Sequence, residues 1–323
     1  VNHSNRITGF GTVTGVPWLP EGFADVFDST LVRVGDVRLH TVQGGAGHPL
    51  LLVGGWPQNW YVWRHVMPRL AGHFRVIAAD PRGVGRSDKP HGGYDTATVA
   101  AELVALMRTL GHDRFTMAGH DVGMWIGYAL AADHPAAVDR LVLIDATIPG
   151  LAPDIPIFGP EAQNDLLWHF SFNRRRSVNE LLVRGREHIY YGDQFQLKAA
   201  RPLPAEAVAF YVESIARDPE ALRASFDYYR ATDDNIAQNH RRRQRPLTLP
   251  VLGVSGDRGQ GERLGALLAP VTERLSTAVL PGCGHYVPEE SPDALLGHLL
   301  PFLREAADGA AVTGEPQGQL GRF

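Results

Sequence analysis

The spacing of apolar residues changes character along this chain. From Leu31 to Thr41 apolar and polar residues alternate in twos, with Gly35-Asp36 between the halves. That period puts one face of each half in a core and predicts an antiparallel hairpin. Short unbroken apolar runs follow, from Pro49 to Val53, Phe74 to Ala79 and Phe115 to Ala118, each ending in loop residues. A strand that is apolar on both faces is covered on both faces, as parallel strands are. Between the runs the period lengthens to that of a helix. Val99, Leu103, Leu106, Met107 and Leu110 share a face, Asp95 or Thr96 stands at the N-terminal cap, and Gly111 stands at the stop. Arg140 to Ile144, Val251 to Val254 and Thr277 to Leu280 continue the strand series. Strands alternating with helices in this way predict an α/β fold: a mostly parallel eight-stranded sheet with helices on both faces.

Between about Ile148 and Pro246 the strand signal disappears and the chain becomes helical and aromatic, with Trp168, Phe170, Phe172, Tyr190, Tyr191, Phe210, Tyr211, Phe226, Tyr228 and Tyr229. Such a stretch reads as a helical cap inserted after the strand ending at Ile144, over the strand ends where open α/β sheets place their ligands. The expected organisation is core over residues 1–147, cap over 148–246, core again over 247–305, and a flexible tail over 306–323.

Composition narrows the class. Hydrophobic residues make up 44% of the 323 positions and charged residues 20%, as in an ordinary globular chain. A formal charge of −4 argues against nucleic acid as a partner. The clusters Arg174 to Arg176 and Arg241 to Arg243 with Arg245 read as solvated helix faces. Cys283 is the single cysteine, which leaves no intrachain disulfide and no cysteine-based metal site. No apolar run reaches the roughly 18 residues that span a bilayer, so no membrane partner is expected. The N-terminus lacks the layout of a signal peptide, which favours a cytoplasmic setting; secretion is the alternative if a leader has been removed.

The chemistry is concentrated at Gly119-His120-Asp121-Val122-Gly123. In a Gly-x-nucleophile-x-Gly turn a strand runs sharply into a helix, and the small flanking residues let the central side chain project into the pocket. Phe115 to Ala118 is that strand and Met124 to Ala131 the helix, whose free amides and positive end favour an ionised Asp121. A serine here would suit acyl transfer. A carboxylate can instead displace a leaving group from saturated carbon, forming an alkyl ester that water then cleaves.

Water needs a base, and Pro281-Gly282-Cys283-Gly284-His285 supplies His285 after the last strand. Two carboxylates are candidates to orient it, Asp145 after Ile144 and Asp257 after Val254. In the later loop of related folds the acid follows a Gly-x-x-Asp spacing, which from Gly256 falls on Gly259; Asp145 is therefore preferred. The developing oxyanion needs two amides, expected from Val122 and from Trp56 in Gly54-Gly55-Trp56-Pro57.

These motifs, together with Asp80 to Asp88, Asp145 to Pro149, Trp168 to Phe172, Ser225 to Ala231 and Leu280 to Glu290, carry a resemblance. From about Pro20 to Leu303 the chain resembles the epoxide hydrolases of the α/β-hydrolase fold, especially the branch typified by the bacterial cystic fibrosis transmembrane conductance regulator inhibitory factor. The resemblance implies the nucleophile, acid, histidine order Asp121, Asp145, His285, and a ring-opening pair of His169 and Tyr229. An epoxide opening under attack leaves an alkoxide, which a phenol or an imidazole can hydrogen-bond or protonate. Gly54 departs from the family's usual histidine, and Asp145 from the glutamate of the nearest branch.

Dehalogenases share the aspartate nucleophile and form the alternative. Haloalkane dehalogenases place a tryptophan after it, where this chain has Val122. Fluoroacetate dehalogenases hold the substrate carboxylate with arginines at the positions of Val122 and Trp125, and a halide-binding tryptophan at that of Phe170. The expectation is therefore a cofactor-independent epoxide hydrolase with no metal. Its partners would be water and a hydrophobic epoxide bound among Trp168, Phe172 and Trp125, with a homodimer as what the resemblance implies.

Overall fold

The computed structural model describes residues 13–153 and 159–312. The opening hairpin is β1 (Phe27–Val34) and β2 (Val37–Gly44), turned at Gly35 and Asp36. Six further strands follow: β3 (His48–Val53), β4 (Phe74–Asp80), β5 (Phe115–His120), β6 (Val138–Ile144), β7 (Leu247–Gly256) and β8 (Thr272–Leu280). They form an eight-stranded sheet in the order β1-β2-β4-β3-β5-β6-β7-β8. The β1–β2 and β2–β4 pairs are antiparallel and every later pair is parallel. This is the α/β-hydrolase architecture. The expected runs are all strands, and the two in the middle of the sheet, β3 and β5, bury Leu50 to Val53 and Phe115 to Ala118 completely or nearly so.

The core helices are α1 (Phe23–Val26), α2 (Met67–Ala71), α3 (Thr96–Thr109) and α4 (Val122–Asp133). Asp95 caps α3, accepting from the Thr98 amide at 3.1 Å. Between β6 and β7 the described residues form only helices: α5 (Glu161–Arg174), α6 (Val178–Val183), α7 (Glu187–Lys198), α8 (Ala205–Ala216), α9 (Pro219–Arg230) and α10 (Thr232–Arg242). The chain closes with α11 (Arg263–Leu268), α12 (Val287–Glu290) and α13 (Pro292–Val312). α13 thus continues beyond residue 306, where the tail was expected to begin; residues 313–323 of that tail lie outside the described residues. Among the described residues no helix is long and apolar enough to cross a membrane.

One arginine cluster differs from its expected solvated role. Arg242 is buried, donating to Asp133 on α4 and to Thr96 Oγ1 at the start of α3. It pins the end of the insertion to the core, because a helix that returns to the sheet turns one side of its basic end inward. Arg241, Arg243 and Arg245 are exposed.

A sealed polar network supports the loops at the strand ends. Asp80 Oδ2 pairs with His40 Nδ1 at 2.8 Å, and His40 Nε2 meets Ser29 Oγ at 2.9 Å. The other carboxylate oxygen accepts the Trp60 amide at 2.7 Å. Serine, histidine and aspartate are arranged here as in a hydrolytic triad, yet all three are buried with no route for a substrate. What they do is fix the segment after β3, which carries Trp56.

Candidate active site

β5 delivers Asp121 into a turn that only small neighbours allow. Asp121 sits at φ 53° and ψ −117°, a conformation rarely adopted by a side-chain-bearing residue and found where structure over-determines it. A Cβ on Gly119 would lie 2.1 Å from the Gly123 carbonyl oxygen, and one on Gly123 would lie 2.3 Å from that of Val53. The backbone packing that aims Asp121 therefore excludes every other residue at both positions. Val122 opens α4, so its amide has no intrahelical acceptor and stands beside the carboxylate.

The Trp56 amide donates to Asp121 Oδ1 at 2.8 Å. His285 Nε2 lies 3.2 Å from Asp121 Oδ2, and His285 Nδ1 lies 2.9 Å from Asp145 Oδ2. Asp145 follows β6 at φ 47° and its Oδ1 accepts the amides of Gly256 at 3.2 Å and Gln260 at 2.8 Å. Asp257 is exposed and accepts the amides of Gly282 and Cys283, bracing the histidine loop from outside without touching the ring. The position where the alternative spacing would put an acid is Gly259, and a Cβ there would lie 2.4 Å from Asp145 Oδ2. The two acid sites exclude one another.

Charge in this cluster is strongly coupled. Burial would raise the Asp121 carboxyl, but hydrogen bonding and attraction from His285, with help from His120 and Lys198, hold it well below the usual carboxylate range. Burial would lower His285, but Asp121 and Asp145 push it up from 6.5 to about 9. An elevated histidine stabilises the fold fully below its ordinary value and loses that contribution as pH rises through its folded value. The urea midpoint should therefore fall as pH rises through about 9. In Asp121→Asn the fall should begin at lower pH. A midpoint unchanged between pH 7 and 10 in both proteins would contradict the coupling.

Over the carboxylate stands a box of rings. The Trp56 ring stacks on His169 at 5.4 Å and 11°, and meets Tyr229 edge-on at 5.3 Å. Tyr229 also contacts Trp125 at 5.8 Å, Phe170 at 5.4 Å and His169 at 5.7 Å. His169 on α5 and Tyr229 on α9 are both buried, and so come together across the insertion as the resemblance implied. Burial raises the Tyr229 phenol well above 10, and the Asp121 charge adds to this, so it is a neutral donor. Phe172 stands one layer out, against Trp168, Tyr190 and Phe226. Trp168 departs from expectation: it is 40% exposed and packs on Phe172 and Tyr190, outside the box. Adjacent helical residues point about 100° apart, so a buried His169 turns Trp168 toward the rim. Beside the box, a cavity of about 40 Å³ runs between the Trp56 loop, Val122 and Tyr228.

The sequence reading missed Lys198. Its ammonium ends α7 at 3.2 Å from His169 Nε2 and 5.2 Å from the Trp56 ring centre. Tyr190 and Tyr191, placed only in the aromatic stretch, also wall the box, as does Phe170 at the position of the dehalogenases' halide-binding tryptophan. A signal for Lys198 did exist. The chain has 31 basic residues of the lysine and arginine kinds, and lysine stands only at Lys89 and Lys198.

Known proteins resemble this chain over most of its length. Residues 48–292 match the family model described as alpha/beta hydrolase fold. A soluble epoxide hydrolase of Corynebacterium sp. is 32% identical, over 82% of this chain and 93% of that protein. A fluoroacetate dehalogenase of Burkholderia sp. is 34% identical, over 89% of this chain and 97% of that one. Among solved structures, Cfl2 from Burkholderia cenocepacia superposes with a TM-score of 0.82 at 40% identity, covering 86% of this chain and 96% of that chain.

Proposed function

Because the chain belongs to the α/β-hydrolase family, we propose that it is an epoxide hydrolase, with residues 148–246 as the cap that closes its active site. What supports this reading is one carboxylate with an amide on Oδ1 and a histidine at Oδ2, beside the paired Tyr229 and His169 rings whose electrostatics it reaches. Oδ1 is engaged by Trp56, which leaves Oδ2 to attack an epoxide carbon. The carbon–oxygen bond pair moves to the ring oxygen, where Tyr229 and His169 meet it. The product is a hydroxyalkyl ester on Asp121.

Esterification then switches on the base. In the resting site His285 is held charged by the Asp121 carboxylate. Once Asp121 is a neutral ester that attraction vanishes, the imidazolium releases its proton to solvent, and the imidazole oriented by Asp145 can take a proton from the attacking water. Water attacks the ester carbon while the amides of Trp56 and Val122 hold Oδ1; the bond from that carbon to Oδ2 then breaks, the leaving alkoxide takes the proton from His285, and a vicinal diol departs. The test is a single turnover of an aromatic epoxide in oxygen-18 water. Heavy oxygen in the Asp121 peptide is expected, and label found only in the diol would overturn the scheme.

Asp145→Asn should lower kcat by roughly 100-fold, because the amide cannot stabilise the imidazolium and favours the wrong tautomer. Asp257→Asn should stay within about 2-fold, since a surface brace moves no charge at the ring. A larger loss at Asp257 would reverse the assignment.

The substrate side of the reading is a hydrophobic epoxide, suited to the ring-lined box. A homodimer joined through the exposed apolar residues Leu181, Leu182 and Ile189 of the cap belongs to the same reading. Light scattering of wild type against Leu181→Glu tests it. A second reading, haloacid dehalogenation, is favoured by Lys198, a cation in the box that could pair with a substrate carboxylate. Halide release from 2-haloacids, with no diol from epoxides, would select it.

A further inference from the structure

The two ring-opening side chains are weak acids in this site. Burial and the neighbouring Lys198 charge keep the His169 imidazole well below 6.5, so it is neutral, and Tyr229 is a neutral phenol of raised pKa. Both are weaker acids than an ammonium, and the alkoxide formed on ring opening needs a proton. Lys198 is placed to supply it. With His169 neutral and the ammonium charged, Nζ donates to His169 Nε2 across 3.2 Å. The Trp56 ring flanks the same ammonium, at a distance suited to a cation–π contact. The Lys198 carbonyl in turn accepts the His285 amide at 3.0 Å, which fixes the lysine backbone against the histidine loop.

We propose that Lys198 is the proton source for epoxide opening, giving its Nζ proton to the leaving oxygen that Tyr229 meets, while His169, whose Nε2 accepts from Nζ, orients the ammonium. The inference rests on the epoxide-hydrolase reading. In the step, Asp121 Oδ2 bonds to carbon, the carbon–oxygen pair passes to oxygen, and that oxygen takes the ammonium proton to become a hydroxyl. Lys198 is left as a neutral amine. Hydrolysis of the ester returns Asp121 first as a carboxylic acid whose proton restores the ammonium, and His285 takes back from solvent the proton it released, so the cycle consumes only epoxide and water.

Lysine suits this role where arginine would not. A guanidinium stays protonated, whereas an ammonium in an apolar box can lose its proton and regain it. Burial lowers Lys198 from 10.5 to about 8, opposed by Asp121 and Asp193. The groups around it are Asp121 at the elbow, His169 on α5, His285 on its loop, Asp193 on α7, Tyr229 on α9, and Glu290 on α12, which holds the nearby Ala200 amide. Of these His285 also titrates in the alkaline range, so the test removes it.

In the full-length His285→Gln protein, ester formation with phenyloxirane is followed by rapid quench and intact mass from pH 6 to 10. The rate should be level at low pH and fall above about pH 8. Adding Lys198→Met should lower the plateau by roughly 100-fold and abolish the alkaline fall. Adding Lys198→Arg keeps the charge, and should lose the fall while retaining more rate than Met. If Met does not fold, the Arg variant still decides the matter. An alkaline fall that persists in either variant, or a Met rate within about 2-fold of the parent, overturns the role of Lys198 while the ester itself upholds the epoxide-hydrolase reading. No ester in any of the three proteins, with halide released from haloacids, overturns both.

Discussion

The His285→Gln variant will take up about one equivalent of epoxide and then stop, with the adduct on Asp121. Turnover should fall by at least ~1,000-fold while the first half-reaction continues. The reason is the division of labour at the carboxylate. Attack needs an ionised Asp121, and the Trp56 amide on Oδ1 and the opening turn of α4 survive the substitution. Hydrolysis needs a base at the ester carbon, and glutamine accepts no proton. Stoichiometric adduct by intact mass, localised by peptide mapping, checks the result. Full turnover in the variant would mean that another group activates water.

The second large effect is on stability. Arg64 and Glu289 form a bidentate pair, with Nη1 to Oε1 at 2.6 Å and Nη2 to Oε2 at 2.8 Å, and their side chains are 2% and 1% exposed. Tyr211 on α8 donates to the same carboxylate, and the guanidinium lies 3.9 Å over the Tyr61 ring. Three parts of the chain thus meet on one ion pair: the segment after β3, the helix after His285 and the insertion. Arg64→Met would strand a buried carboxylate and should cost about 3–5 kcal/mol in urea unfolding. Arg64→Met with Glu289→Gln should regain roughly half of that, because the uncompensated charge is gone. A single variant within 1 kcal/mol of wild type, on the scale of ordinary surface changes, would show that the pair is dispensable.

The sheet was legible because its signals are local. β3 and β5 are buried on both faces, so they appear as continuous apolar runs; the hairpin alternates in sequence, but only β1 is half covered, while β2 is buried on both faces and covers polar residues such as His40 and Thr41. The elbow was legible for the same reason: both of its glycines stand within two residues of Asp121. Choosing between Asp145 and Asp257 already needed a neighbouring loop, and the physical cause, the lack of room at Gly259 beside a carboxylate, appears only in three dimensions. Trp168 shows the limit of adjacency, since the residue next to a buried histidine on a helix faces elsewhere. Lys198 shows the limit of composition. A lone cation at a helix end reads as a solvated residue, and what makes it functional is the chain that folds over it from α5 and the Trp56 loop.

The seam between the histidine loop and the insertion bears on how such an enzyme can be rebuilt. Glu290 gathers the amides of Gly284, Tyr286 and Ala200 at 2.8–2.9 Å, and a Cβ on Gly284 would lie 2.4 Å from the Ala200 nitrogen. The insertion is therefore not an interchangeable module. A chimera that takes its helices from a relative inherits the placement of His285 only if the donor segment reproduces the backbone path from Lys198 to Ala200. Recombination to change substrate range should cross over inside the helices ahead of that seam, leaving residues 198–200 with the parent that contributes the histidine.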